Sequence, residues 1–202
     1  MEPLILSDTM SIGGTITTAL IPTTDVAFIN MLRRAIMTEV ETYAIGLVVF
    51  HINTSARPSE VLALRFGQLV IDQFDGVPLD DLKVRLDVRG PAIVTTDDII
   101  GLKFTYKTPI LTLRADQQLL CDCIVKREIG RTHVKWRPIS RFTLKPVENG
   151  HEIMIEGLGM MSGEDIIRKG LAKIDTATQR PPQTLFSRPL APTQTLISPL
   201  QT

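Results

Sequence analysis

The chain has 202 residues, of which 44% are apolar and 22% charged, enough to bury a core in one large domain or two small ones. Its 22 basic side chains are balanced by 22 acidic ones. This argues against nucleic-acid backbone binding as the main activity, because that needs an excess of cations, and leaves room only for a local basic patch. No run of 18 apolar residues is present, so nothing reads as a membrane span.

Residues 4–21 alternate loosely around Gly13 and Gly14 and predict a hairpin. "PTTD" then offers a helix start, with Thr24 or Asp25 able to accept from free amides. The helix is expected to run from about 25 to 41, through "NMLRRAIMTEV", with Phe28, Ile29, Leu32 and Ile36 on its apolar side. Two adjacent full charges, Arg33 and Arg34, sit in this run. "YAIGLVVFHI" reads as a strand buried on at least one face. A short helix capped by Ser59 and ended by Gly67 is expected next. Strands follow at 82–88, 101–106 and 118–127, with "TPILTL" either strand or loop. "SRFTLKPVENGHEIMIEG" is the strongest hairpin signal, turning at Glu148-Asn149-Gly150.

A second helix is expected over 162–174, capped by Ser162 and carrying Glu164 and Asp165 in its first turn. Ile166, Ile167, Leu171 and Ile174 make its apolar stripe. Gly170 costs about 1 kcal/mol against alanine in mid-helix, which points to a close approach there. From residue 175 the chain is rich in Pro, Thr and Gln and reads as an extended or disordered tail. Two helices separated by mostly strand make an α+β protein.

The residues suggest no reaction. His51, His133 and His151 form no ligand-like pair, and Cys121 and Cys123 are too few for a zinc site, so they read as reduced thiols. Asp80-Asp81 and Asp97-Asp98 are adjacent carboxylates, which usually point apart and make poor acid–base pairs. No glycine-rich phosphate loop leads into a helix. The N-terminus has no basic run before an apolar one and does not read as a signal peptide, so the sequon at Asn53 carries no expectation of glycosylation. Neither metal nor cofactor is expected, and function is expected to lie in surfaces.

"TTDVAFINMLRRAIMTEVETYAIGLVVFHINTS" resembles the signature of the α-like subunits of multi-subunit DNA-directed RNA polymerases. That family includes the bacterial α amino-terminal domain, its archaeal α-like counterpart and the third-largest subunit of eukaryotic RNA polymerase II. The Asn-x-Leu-Arg-Arg element is Asn30, Leu32, Arg33 and Arg34. The archaeal and eukaryotic branch continues with a segment matched here by Asn53, Thr54, Ser55, Glu60 and "LALRFGQL", where Leu64 replaces the usual His. "GRTHVKWRPIS" and "IEGLGMMSGEDIIRKGLAKI" are similar to two later elements of that branch, and the four matches, in family order, cover about 4–174. The cysteine cluster that several members carry in the inserted domain is missing.

The resemblance implies a discontinuous dimerisation domain from residues 1–48 and 142–174, an inserted β-rich domain from 49–141, and a tail from 175–202. It implies a non-catalytic assembly subunit that heterodimerises with a smaller α-like subunit and forms the platform for the second-largest and largest catalytic subunits. No sequence-specific nucleic-acid contact is expected. Phe28, Ile29, Leu32, Ile36, Ile166, Ile167 and Leu171 would form the dimer interface. Arg33, Arg34, Glu60, Arg65, His133, Lys135 and Trp136 would contact large subunits. The location implied is intracellular: nuclear in a eukaryotic cell, cytoplasm or virion for a virus. The alternative is a stand-alone regulatory module that uses the same dimerisation fold, and a small enzyme is a third class without an apparent site.

Overall fold

The computed structural model describes residues 4–11, 14–73 and 78–178. The turn expected at Gly13 and most of the expected tail lie outside the described residues. Helices and sheets are segregated around two apolar cores, an α+β arrangement.

The first core is built from both ends of the chain. Strands β1 (Leu4–Ser11) and β2 (Gly14–Ile21) pair antiparallel, and β2 pairs with β9 (Gly150–Gly157), which pairs with β8 (Ile139–Val147). The β8–β9 turn needs Gly150: its φ is 141°, and a Cβ there would run into the Ile21 carbonyl oxygen. One sheet face carries Ala19, Ile21, Ile153 and Ile155, all buried. Helices α1 (Val26–Thr38) and α3 (Gly163–Thr178) cover it.

Asp25 caps α1, accepting from the Ala27 amide at 2.8 Å. Ser162 accepts from the Asp165 amide at 3.1 Å and donates to the Asp165 carboxylate at 2.7 Å, tying down the start of α3. The helices touch closely at Gly170, where a Cβ would stand 2.5 Å from Ile36 Cγ1. The close approach expected at this glycine is therefore present. Helix α3 runs past the expected end at Ile174, and the Thr176 hydroxyl is absorbed by the Ala172 carbonyl at 2.9 Å.

The chain passes to the second core at β3 (Glu41–Asn53), which pairs with β7 (Gln118–Ile129); β7 pairs in turn with β4 (Lys83–Arg89). Helix α2 (Ser59–Gly67) and the short pair β5 (Ala92–Thr95) and β6 (Pro109–Leu113) close this core over Phe66, Leu86, Val94, Leu113 and the two free cysteines. "TPILTL" thus resolves as a strand. The strand expected at 101–106 reduces to an isolated bridge between Ile71 and Phe104. Ser59 does not cap α2 either: its hydroxyl accepts from Asn53 Nδ2 at 3.1 Å instead.

The two cores are tied at several points. Lys173 of α3 pairs with Glu41 at 2.7 Å, the Arg131 amide donates to the Thr38 carbonyl at 3.1 Å, and the Thr105 hydroxyl donates to the Gly159 carbonyl at 2.8 Å. The Lys173 ammonium is the main reason the Glu41 carboxyl is held below its ordinary value. Among the described residues, no helix is long and apolar enough to cross a membrane.

Candidate functional site

Helix α1 shows two faces. Ile29, Leu32, Ala35 and Ile36 point into the core, at the three- and four-residue spacing that keeps side chains on one face. Arg33 and Arg34, about 100° apart around the axis, are both exposed. Neither guanidinium has a hydrogen bond or ion pair among the described residues, so both are free for a partner.

The expected pairing residues are placed differently. Ile29, Leu32, Ile36, Ile166 and Ile167 are at most 1% exposed and Leu171 is 8% exposed within the single chain, while Phe28 is half-buried. These side chains pack on each other and on the sheet, forming the chain's own core. What α1 leaves uncovered around them is Val26, Met31 and part of Phe28.

The turn after β7 docks on the C-terminal end of α1. A Cβ on Gly130 would collide with the Met37 carbonyl and lie 2.8 Å from Arg137 Cγ, so the Arg137 stem runs beside that helix end. Arg131 forms an ion pair with Glu39 there. The Nε of Arg137 is buried without a hydrogen-bond partner among the described residues. Arg131, paired with Glu39, and the Arg137 stem thus both lie near this end of the helix. No local sequence signal marks Arg137 as a site residue, although it lies inside "GRTHVKWRPIS".

The remaining candidates divide into exposed groups and tethers. Glu60, in the first turn of α2, and His133 are exposed. Arg65 donates to the Ile110 carbonyl at 2.6 Å, fastening α2 to β6. Lys135 donates to the Ile45 and Gly46 carbonyls at 3.1 and 3.4 Å and lies 4.4 Å above the Trp136 ring. Burial pushes its ammonium pKa down. Trp136 is 7% exposed; its indole donates to the Lys126 carbonyl at 3.2 Å, and its own carbonyl accepts from Thr42 at 2.8 Å. Lys135 and Trp136 therefore lock the turn onto β3 and β7. Asn53 does the same for the approach to α2, receiving the Ser55 hydroxyl at 2.7 Å and donating to the Arg57 carbonyl at 3.0 Å. Leu64, which stands where the family usually has His, is 57% exposed.

Among the described residues, no group of three or more His, Cys, Asp or Glu side chains is arranged to hold a metal ion. The arrangement offers two folded cores and a pair of exposed arginines, Arg33 and Arg34, on one helix.

No protein-family model matches the chain. It is 30% identical over 152 residues to the DNA-directed RNA polymerase subunit Rpo3 of Methanocaldococcus jannaschii, across 72% of this chain and 78% of that protein. It is 36% identical over 126 residues to Rpo3 of Pyrococcus horikoshii, covering 56% of this chain and 49% of that one. With the DNA-directed RNA polymerase II subunit RPB3 of Schizosaccharomyces pombe it shares 29% over 152 residues, 58% of this chain and 51% of that one. The chain thus spans about half the length of the last two relatives. On the extent of the first match, this chain belongs to the Rpo3/RPB3 family of DNA-directed RNA polymerase subunits.

Proposed function

We propose that the chain is a non-catalytic assembly subunit of a DNA-directed RNA polymerase, pairing with a smaller α-like subunit and presenting a platform to the two large catalytic subunits. The observation that carries this reading is the match over 78% of the M. jannaschii subunit, with the Asn-x-Leu-Arg-Arg pair left free on a folded helix. Arg33 and Arg34 suit bidentate contact with carboxylates or backbone carbonyls of a large subunit. Arg137, Glu60 and His133 extend that contact, while Lys135, Trp136 and Arg65 hold the presenting turns in place.

The α-like partner would cover Val26, Met31 and the exposed part of Phe28. In this reading the discontinuous dimerisation unit is the first core. Strand pairing favours moving its boundaries from 48 to about residue 40 and from 142 to 139, because β3 joins the second sheet from Glu41 and Ile139 packs in the first core.

Reconstitution tests the division of surfaces. Arg33→Ala with Arg34→Ala keeps helix propensity and touches no core, so folding and α-like pairing should persist. Losing a charge-assisted contact at an interface costs about 2–5 kcal/mol. Assembly, followed by size with the partner and both large subunits, should stall at the heterodimer. Full assembly with unchanged salt resistance would return both arginines to solvent.

A further inference from the structure

The outer face of the β3–β7–β4 sheet is half apolar and half cationic. Two irregularities in β3, between Ile45 and Leu47 and between Phe50 and Ile52, reset which residues face outward. Leu47, Val49 and Ile52 are 52%, 40% and 37% exposed, side by side on one strand rather than scattered. They span about 16 Å at ~3.3 Å per residue. Opposite them on β7 stand Ile124, Asp122 and Leu120, and opposite those on β4 stand Lys83, Arg85 and Asp87.

Asp122 organises the cationic half. It is 1% exposed, although it points away from the apolar core that holds Cys121 and Cys123. Its oxygens receive Arg85 Nε at 2.9 Å, His51 Nε2 at 2.7 Å and Lys83 Nζ at 2.9 Å. The carboxylate is thus hidden beneath its partners, whose side chains remain 64%, 40% and 58% exposed in that order. Solvent meets fixed cations rather than the acid. Lys83 and Arg85 against Asp122 leave one net positive charge before His51 is considered, while Arg89 and Asp87 cancel.

We infer that this face docks an acidic amphipathic helix of a partner protein. A sheet face of apolar side chains is normally covered by a second layer. A stripe of ~16 Å matches about three turns of helix at 5.4 Å per turn. Such a helix would set apolar side chains on Leu47, Val49 and Ile52 and carboxylates over Lys83 and Arg85. A second copy of this chain fits less well, because it brings the same net positive face. This surface lies on the second sheet, away from the arginines of α1, and its test does not depend on polymerase assembly.

The probe is a labelled helical peptide about 18 residues long, with Leu at helical spacing and Glu along one flank, titrated against the full chain. A control peptide carries Lys in place of Glu. The Glu peptide should bind at least tenfold tighter than the Lys peptide, and the preference should shrink toward parity near 1 M salt, where screening reaches ~3 Å. Val49→Asp should abolish binding but also lower the thermal midpoint, because it sets a second carboxylate opposite Asp122. Leu47→Gln, at a half-exposed position opposite Ile124, should weaken binding of both peptides with the midpoint little changed. Lys83→Gln keeps a hydrogen-bond donor for Asp122 and should weaken only the Glu preference. Equal affinity for both peptides, no binding of either, or binding indifferent to Val49→Asp would each overturn the inference.

Discussion

Replacing Gly170 by alanine sets two physical effects against each other, and the structure decides between them. Alanine gains about 1 kcal/mol of helix propensity over glycine in mid-helix. Its Cβ, however, would stand 2.5 Å from Ile36 Cγ1 and 3.4 Å from Leu32 Cδ1. Carbon atoms pack at about 3.5–4.0 Å, so α1 and α3 must separate by roughly 1 Å or Ile36 must leave its rotamer. Ile36 is fully buried, and its branched Cγ1 is no flexible tip. Overpacking of this kind costs about 1–3 kcal/mol, and the depth of overlap places it near the upper end. The net expectation is a loss of about 1–2 kcal/mol, or a melting temperature lower by roughly 2–8 °C for a chain of this size. Urea denaturation followed by circular dichroism measures it. Ile36→Ala alone should cost about 2–5 kcal/mol, but combined with Gly170→Ala it should cost about 1–2 kcal/mol less than the sum, since the new methyl fills the space left. A Gly170→Ala protein more stable than the parent would show that propensity wins and that the helices do not meet as described.

Asp122→Asn should destabilise the chain at neutral pH. Arg85 first, then His51 and Lys83, hold the Asp122 carboxyl well below its ordinary value of 3.8, so its stabilisation is present above that value and is lost as pH falls through the lower folded one. The stability gap between parent and variant should therefore narrow in acid, and a gap that widens below pH 3.8 would contradict the network. Lys135→Met removes the donor to the Ile45 and Gly46 carbonyls and should cost about 1–2 kcal/mol in denaturant melts; no loss would free Lys135 for an outside partner. Asn53→Ala should cost a similar ~1–2 kcal/mol, by releasing the turn that leads into α2, and local hydrogen exchange at residues 54–60 should rise with it.

Local signals made much of this fold legible in the sequence. Asp25 before an apolar run at helical spacing marks α1, Ser162 with Asp165 marks α3, and Asn149-Gly150 marks the last hairpin. Each works because the chemistry is contained within a few residues. Elements that depend on distant partners were less visible. Phe104 meets Ile71 through one bridge, so its alternating neighbours look like a strand that never extends. Ser59 looks like a helix cap until Asn53 is seen to use it.

The site follows the same division. Arg33 and Arg34 stand out as two charges in an apolar helix, and both are exposed with no partner among the described residues. Lys135 and Trp136 look identical in sequence to an exposed basic–aromatic loop, yet their partners lie on β3 and β7. The amphipathic stripes of α1 and α3 were legible as stripes. Which surface they cover depends on where the two helices meet, and sequence spacing carries no record of that. Asp122 sits between two cysteines, and its three partners come from two other strands.

The most direct test of the central claim is the composition of the complex this chain inhabits. The chain, tagged and expressed at native level in its source, should be purified under mild salt and its assemblies weighed by native mass spectrometry. The account predicts one copy of this chain with one smaller α-like chain and two much larger chains, in a particle that elongates RNA on a DNA template. A chain recovered alone, or in a defined complex that contains neither large chain, would contradict it.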